Sequence, residues 1–309
     1  MLGRSFRISI LNQLVEDQGI RLDDATRREL SGFLDPDGRD RLRFRHAMIR
    51  DVAYRSLSFK RRRELHLHAG DIAESAAGDH PEAAADVLAL HFSLAQDHER
   101  AWRYSLLAGD QARDTYANVD AAAHYGRALE AARRLSLPDE EKADVWTSLG
   151  DVRHLSGNFD ESLAAYRRAT TLVGSDPLAK AGLAEKRARV RERAGDYRQA
   201  LRELTSGYRL AESVDTADAA ATRARLLAFT ASVRQGQQKP VAAVKAALQA
   251  VDEASEAGER AALARAYSVL DVCYRFSGQP EKAVFGPKAL SIYQQLGDLN
   301  GQGLVEGNM

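Results

Sequence analysis

The sequence predicts an all-α protein: an α-solenoid of paired helices, preceded by a small helical domain with a short β-hairpin. Three observations carry this. Strong helix formers (Ala, Leu, Arg, Glu) dominate, with only seven prolines and 7% aromatic residues in 309 residues. A pattern of small and large residues broken by a turn returns about every forty residues over most of the chain. Only residues 41–45 alternate with the period of two that a half-buried strand requires.

At this length the chain is expected to form two domains or an extended array. Charged residues make up 28% and cancel to a formal net charge of +0, so no global field draws the protein to nucleic acid or membrane. The single cysteine, Cys273, fits a reducing compartment. No apolar run approaches the roughly 20 residues needed to span a bilayer. Arg7, Asn12 and Gln13 interrupt the N-terminal apolar residues, so a signal-peptide core is lacking and a cytoplasmic location is expected.

The first domain is expected over residues 1–78. Phe6, Ile8, Ile10, Leu11, Leu14 and Val15 fall at mostly helical spacing, predicting a helix over residues 6–16. Asp23 or Asp24 is the N-cap of a second helix, with Leu30, Phe33 and Leu34 on its apolar side. Residues 35–40, DPDGRD, are a turn. Leu42 and Phe44 then alternate with Arg41, Arg43 and Arg45, a short strand with one wet face. Helices resume at His46 and near Phe59. Helix, helix, hairpin wing and helix is the order of a winged-helix module.

Lys60, Arg61, Arg62 and Arg63 form a basic run in this domain. Phosphate contact is one reading. The alternative is a solvated or protein-docking face, and Glu64 with the domain's other acids favours it. His66 and His68 are two apart, which points them to different helix faces, and no HExxH is present. No metal or other cofactor is expected.

Residues 44–74 read FRHAMIRDVAYRSLSFKRRRELHLHAGDIAE. This stretch resembles the segment after the ATPase module in bacterial signalling proteins that join a class III adenylate/guanylate cyclase, a STAND-like P-loop ATPase and a tail of tetratricopeptide (TPR) repeats. Phe44, Arg45, His46, Asp51, Ala53, Tyr54, Arg63 and His66 carry the likeness. The resemblance implies structural roles for them, with His46 and His66 packing or hydrogen-bonding between helices. It also implies a winged-helix module closing an ATPase core that is not in this sequence.

From residue 79 to 309 the repeats take over. Trp146, Leu149 and Gly150, then Gly157, Asn158, Phe159 and Asp160, then Ser162, Tyr166 and Ala169, resemble the TPR pattern. Two antiparallel helices approach closely where a small residue on one accepts a large one from the other. Gly195, Asp196 and Tyr197 before Ala200 and Leu204 mark a second copy, and Gly278 to Ala283 after Tyr267 and Leu270 another. A weaker copy runs from Gly236 to Ala250 with Pro240 at a helix start, and an early one has Trp102 and Tyr104, then Tyr125 and Ala128. That makes about five repeats. Pro287 predicts a helix break near residues 285–287. Residues 297–303 read as a linker opening a further repeat with no polar capping helix, so truncation at the C-terminus is expected.

No catalytic residue is expected. There is no GxxxxGK[ST], no GxSxG, and no cyclase domain with its paired metal-binding aspartates, and Cys273 lacks an evident partner histidine. A TPR array would instead take a protein or peptide partner in a concave groove lined by the first helix of each pair, or fold back on its own upstream ATPase or cyclase domains. Thr147, Asp151, His154, Glu185, Arg189, Ser268 and Arg275 stand at the inner-face offsets. Nucleic acid and membrane are not expected partners. A cyclase fragment without its catalytic domains, or a winged-helix DNA-binding regulator, are the alternatives.

Overall fold

The structure, a computed structural model, describes residues 5–16 and 23–308. Among these are three short strands and sixteen α-helices. The chain packs as two compact units, residues 1–152 and 153–309.

In the first unit, β1 (Ser5–Arg7), β2 (Leu34–Pro36) and β3 (Arg41–Phe44) form an antiparallel sheet in the order β1-β3-β2. The expected hairpin is β2–β3, and β1 is an addition that displaces the expected helix start. Phe6 pairs with Leu42 across the sheet and its ring lies 5.8 Å from that of Phe44. Helix α1 (Ile8–Glu16) begins only after it, with the Ile8 N–H donating to the Asp40 carbonyl at 2.8 Å. Phe6, Ile8 and Ile10 are spaced by two, which suits a strand as well as a helix, and burial of Phe6 decides for the strand. The side chains of Ile10 and Leu14 lie outside the described residues.

Leu34 also moves from helix to strand. Helix α2 (Asp24–Leu30) starts at Asp23, whose carboxylate accepts from the Thr26 N–H at 2.8 Å, and it stops before a turn at residues 31–33. Leu34 is then buried as the first residue of β2, paired with Phe44.

Helices α3 (Ala47–Ser56) and α4 (Phe59–Ala77) follow, the second capped by the Ser58 hydroxyl. After a 3-10 turn come α5 (Ala85–Ala95), α6 (His98–Asp114), α7 (Asn118–Ala132) and α8 (Asp139–Leu155), the last belonging to this unit as far as Val152. Helix α4 packs on α5, α5 on α6 and α6 on α7. Small residues admit large ones where they meet: a Cβ on Gly70 would lie 2.7 Å from the Phe92 ring, and one on Gly109 2.8 Å from Tyr125.

The second unit holds α9 (Phe159–Leu172), α10 (Pro177–Arg193), α11 (Tyr197–Glu212), α12 (Ala217–Gly236), α13 (Pro240–Ala257), α14 (Arg260–Phe276), α15 (Gly286–Leu296) and α16 (Leu299–Glu306). The expected repeats correspond to α6–α7 in the first unit and to α10–α11, α12–α13 and α14–α15 in the second, and the residues of the remaining copy fall on α8 and α9. The turns of α6–α7, α10–α11 and α12–α13 share one hydrogen-bond pattern. In the α10–α11 turn the Gly195 N–H donates to the Glu192 carbonyl at 2.9 Å and the Asp196 N–H to Arg191 at 2.8 Å, around a left-handed glycine with φ 77°.

Gly236, where the weaker copy begins in the sequence, is the last residue of α12. The left-handed conformation belongs to Gln238 at φ 58°. Gly236 lies against Tyr197, where a Cβ would stand 3.3 Å from the ring. That copy looked weak because its interface is alanine on alanine: Ala224, Ala228 and Ala231 of α12 and Ala243, Ala247 and Ala250 of α13 are all fully buried.

The break predicted near Pro287 is present, as a 3-10 turn at Pro280–Lys282 and a fresh helix from Gly286. The stretch read as a C-terminal linker is in fact α16, capped by Asp298 and packed through Gly301 onto the Tyr293 ring. No helix among the described residues is long and apolar enough to cross a membrane.

Candidate functional site

Helices α10, α12 and α14 are the first members of successive pairs in the second unit, and α12 packs against both neighbours. Helical spacing brings Glu185 and Arg189 of α10, and Arg225 and Phe229 of α12, to one another four residues apart. The Arg189 guanidinium pairs with Glu185 at 2.9 Å and sits 5.3 Å from the centre of the Phe229 ring. Arg225 reaches the same Glu185 at 3.6 Å and Glu259, just before α14, at 3.9 Å. From α14, the Arg265 guanidinium lies 5.6 Å from the Phe229 ring centre. Phe229 itself is 4% exposed. The result is a half-buried charged surface across three adjacent helices, with an aromatic ring as its floor.

Of the residues singled out from sequence, Glu185 and Arg189 stand in this surface. Arg275 lies on α14, where it pairs with Asp271 at 2.9 Å. Asp271 is buried, and its carboxylate also accepts from the Phe285 N–H at 3.0 Å and the Gly286 N–H at 2.8 Å. A carboxylate from α14 thus caps the N-terminus of α15, which has no side-chain cap of its own. Burial alone would raise the Asp271 pKa, but the donations from Arg275, Gly286 and Phe285 win and hold it below the usual value. Ser268 is buried and its hydroxyl donates to the Ala264 carbonyl at 2.9 Å. His154 is buried beside the Phe159 ring. Thr147 and Asp151 are half-buried in the first unit, the Thr147 hydroxyl donating to the Ala143 carbonyl at 2.8 Å.

Arg225, Phe229 and Arg265 were not anticipated. The signal for the first two was available in the four-residue spacing on α12, but that helix belongs to the copy with the faintest repeat pattern.

In the first unit, Phe44 packs on Phe6, Arg45 pairs with Asp35 at 2.8 Å and Asp51 with Arg50 at 2.7 Å. Ala53 is exposed. The four consecutive cations are occupied within the molecule. Lys60 and Arg61 reach Glu64 at 3.9 and 3.4 Å, Arg62 lies 5.3 Å from the Tyr54 ring centre, and Arg63 donates to the Ala95 carbonyl at the end of α5.

Of the two histidines expected to join helices, His46 is exposed and His66 does join them. The Tyr54 hydroxyl lies 3.0 Å from His66 Nε2, and His66 Nδ1 lies 3.1 Å from His91 Nδ1, a chain linking α3, α4 and α5. Burial, with the charges of His91 and Arg62 added, pushes the His66 pKa down to about 4, and burial does the same to His91. No cluster of three or more His, Cys, Asp or Glu that could hold a metal occurs among the described residues. An apolar cavity of about 810 Å³ separates α3 from the sheet, lined among others by Phe6, Leu34, Phe44, Met48 and Val52.

No protein-family model matches the chain. No curated protein is similar to it in sequence. Among solved structures it is similar to aspartyl phosphate phosphatase F from Bacillus subtilis, at 14% identity over 94% of this chain and 70% of that one, with a TM-score of 0.61. It is similar too to BtubC (BKLC) from P. vanneervenii, at 15% identity over 79% and 94% of the two chains and a TM-score of 0.52. A third likeness is to a putative kinesin light chain from Podosopora anserina with nearly identical TPR-like repeats, at 11% identity over 63% and 95% of the chains and a TM-score of 0.51. At these identities the likeness is one of fold, and the fold is that of the TPR-like helix-pair arrays.

Proposed function

We propose that this chain is a non-catalytic protein–protein interaction module whose partner lies across the first helices of the repeats. The observation that carries this is the Glu185, Arg189, Arg225 and Glu259 array on α10, α12 and α14. These groups are half-buried yet reach solvent, and the Arg225 pairs, at 3.6 and 3.9 Å, are long enough to be exchanged for pairs with a partner. Ser268 and His154, being buried, would hold the helices in place and leave partner contact to their neighbours.

The setting we propose is a bacterial signalling ATPase or nucleotide cyclase in the cytoplasm, with the chain restraining or recruiting through its repeats. It rests on residues 44–74 alone. The internal pairing of Lys60 to Arg63 supports a structural over a DNA-binding role for that segment. Reading the gene upstream of Met1 tests the setting: an in-frame P-loop ATPase supports it, and a free-standing reading frame makes the chain an adaptor.

The groove itself is tested by the combined variant Glu185→Ala and Arg225→Ala. Partners captured by the wild-type chain are expected to be lost from this variant while its thermal unfolding stays within a few degrees. Unchanged capture by a folded variant would sink the assignment.

A further inference from the structure

We propose that the groove between α5 and α7 is a docking site for a basic amphipathic helix of a partner protein. It lies in the first unit, whereas the surface across α10, α12 and α14 belongs to the second. Helix α6 packs against both α5 and α7, and its Ala108 and Ala112 line a groove of about 890 Å³ between them. Alanine at these places leaves open a volume that larger side chains would fill. Leu90 lines the α5 side, with Val87 three residues before it and Leu94 four after, so the three form one stripe. All three are exposed, whereas Leu88, Ala89 and Phe92 of the same helix are buried. An apolar stripe left open to water along a groove is what receives the apolar face of another helix, whose anchors recur at spacings of three and four.

The rim sets the charge of the occupant. Glu82 and Asp86 stand on the α5 side, Asp114 at the end of α6 and Asp120 on α7. Asp114 pairs with Arg113 at 3.0 Å, but Glu82, Asp86 and Asp120 make no ion pair among the described residues. Arg127 is the cation in the lining, and its guanidinium lies 3.1 Å from His124 Nδ1. Burial first, and then the Arg127 charge, hold the His124 pKa below its usual value against the pull of Asp86 and Asp120. The ring is therefore neutral near pH 7 and does not offset those acids, which face it from two different helices. Asp86 and Asp120 each sit in the first turn of a helix, where the dipole favours an acid. That role accounts for the two carboxylates singly and leaves the exposed leucines beside them unexplained. A helix carrying Lys or Arg on either side of a row of Leu or Ile meets both features at once. Asp86 to Leu94 spans about 12 Å of helix, so the occupant engages about two turns.

The test uses the full chain and fluorescence anisotropy with a labelled peptide of Lys and Leu, about four helical turns long, its leucines at spacings of three and four. Two controls accompany it: the same composition scrambled so that no apolar face forms, and the patterned peptide with Glu for Lys. The patterned basic peptide is expected to bind, and both controls to bind at least about tenfold more weakly. Asp86→Asn with Asp120→Asn is expected to weaken the patterned peptide about tenfold, and Leu90→Ser about fivefold. Leu90 is exposed, so its variant serves if the double variant fails to fold. Equal binding of the scrambled peptide overturns the proposal in favour of plain attraction between charges. Binding that is unchanged in either folded variant, or absent in wild type, overturns it outright. The surface across α10, α12 and α14 is judged by the Glu185→Ala and Arg225→Ala variant, so the two readings fail separately.

Discussion

Residues 5–57 and the helix pairs that follow hold together by different means. In the sheet-bearing segment Phe6 and Leu34 are the only buried hydrophobic residues among those described, and α3 buries none of its side chains. Met48 is 77% and Val52 68% exposed, on a helix that leaves a wide cavity between itself and the sheet. The helix pairs instead enclose Tyr104, Tyr125, Tyr166, Leu204, Leu226 and Leu270 almost completely among small residues. A repeated small–large interface closes each pair, and neighbouring pairs cover one another in turn, α11 packing on α12 and α13 on α14. The sheet segment depends on β-pairing and on its few links to α4.

Truncation experiments should separate the two. Leu204 is 1% exposed in α11, and Leu204→Ala is expected to cost about 3 kcal/mol through lost burial and the cavity left behind. Val52→Ala on α3 is expected to cost under about 0.5 kcal/mol, since its side chain already meets water. Urea unfolding of both variants checks this, and similar losses would mean that α3 is covered in solution.

Acid should loosen the link between the regions. Tyr54, His66 and His91 connect α3 to α4 and α5 through two hydrogen bonds. Both histidines fold as neutral rings, with pKa pushed down to about 4 against an ordinary 6.5. In the unfolded chain they take up protons below the ordinary value, so their contribution is complete above about pH 6.5 and is lost as pH falls towards 4. One added proton can be accommodated by reversing the donors along the chain. A second puts two N–H groups face to face at the 3.1 Å contact. The expected loss is on the order of 2 kcal/mol for each histidine between pH 7 and pH 4.5. His91→Gln should show a shallower dependence than wild type, and parallel pH profiles would remove the pair as the cause.

What the sequence disclosed follows the same division. The helix pairs were legible because a close interface demands small and large residues at fixed spacing, and the turns at Gly157, Gly195 and Gly278 came with them. In the sheet segment, Phe6 and Leu34 were assigned to helices because period two and helical spacing overlap over a few residues, and only tertiary burial separates them. The candidate site was half legible. Glu185 and Arg189 follow from helix geometry within one repeat. The Arg225 and Arg265 contacts depend on how neighbouring repeats stack, which no local pattern records. The Asp271 cap on α15 was missed for the same reason, since donor and acceptor come from different helices.

The smallest effect expected lies inside the array, where copies solve one turn with different residues. Gly195 and Gln238 occupy the same left-handed position with matching hydrogen bonds: the Gln238 N–H donates to Gln235 at 2.8 Å and the Lys239 N–H to Arg234 at 3.0 Å. Glycine takes this conformation without steric penalty, whereas a side chain there costs about 1 kcal/mol. Gly195→Ala is therefore expected to destabilise by about 1 kcal/mol, its added Cβ meeting no neighbour within 4 Å, so that backbone strain alone is read. Gln238→Gly relieves the strain but enlarges the freedom of the unfolded chain, which offsets part of the gain. A net stabilisation of about 0.5 kcal/mol is expected, a rise of about 1 °C in a chain of this size. Calorimetry of the two variants gives opposite signs if the turns are equivalent. A loss of stability in Gln238→Gly would mean that the Gln238 side chain contributes more than its backbone conformation costs.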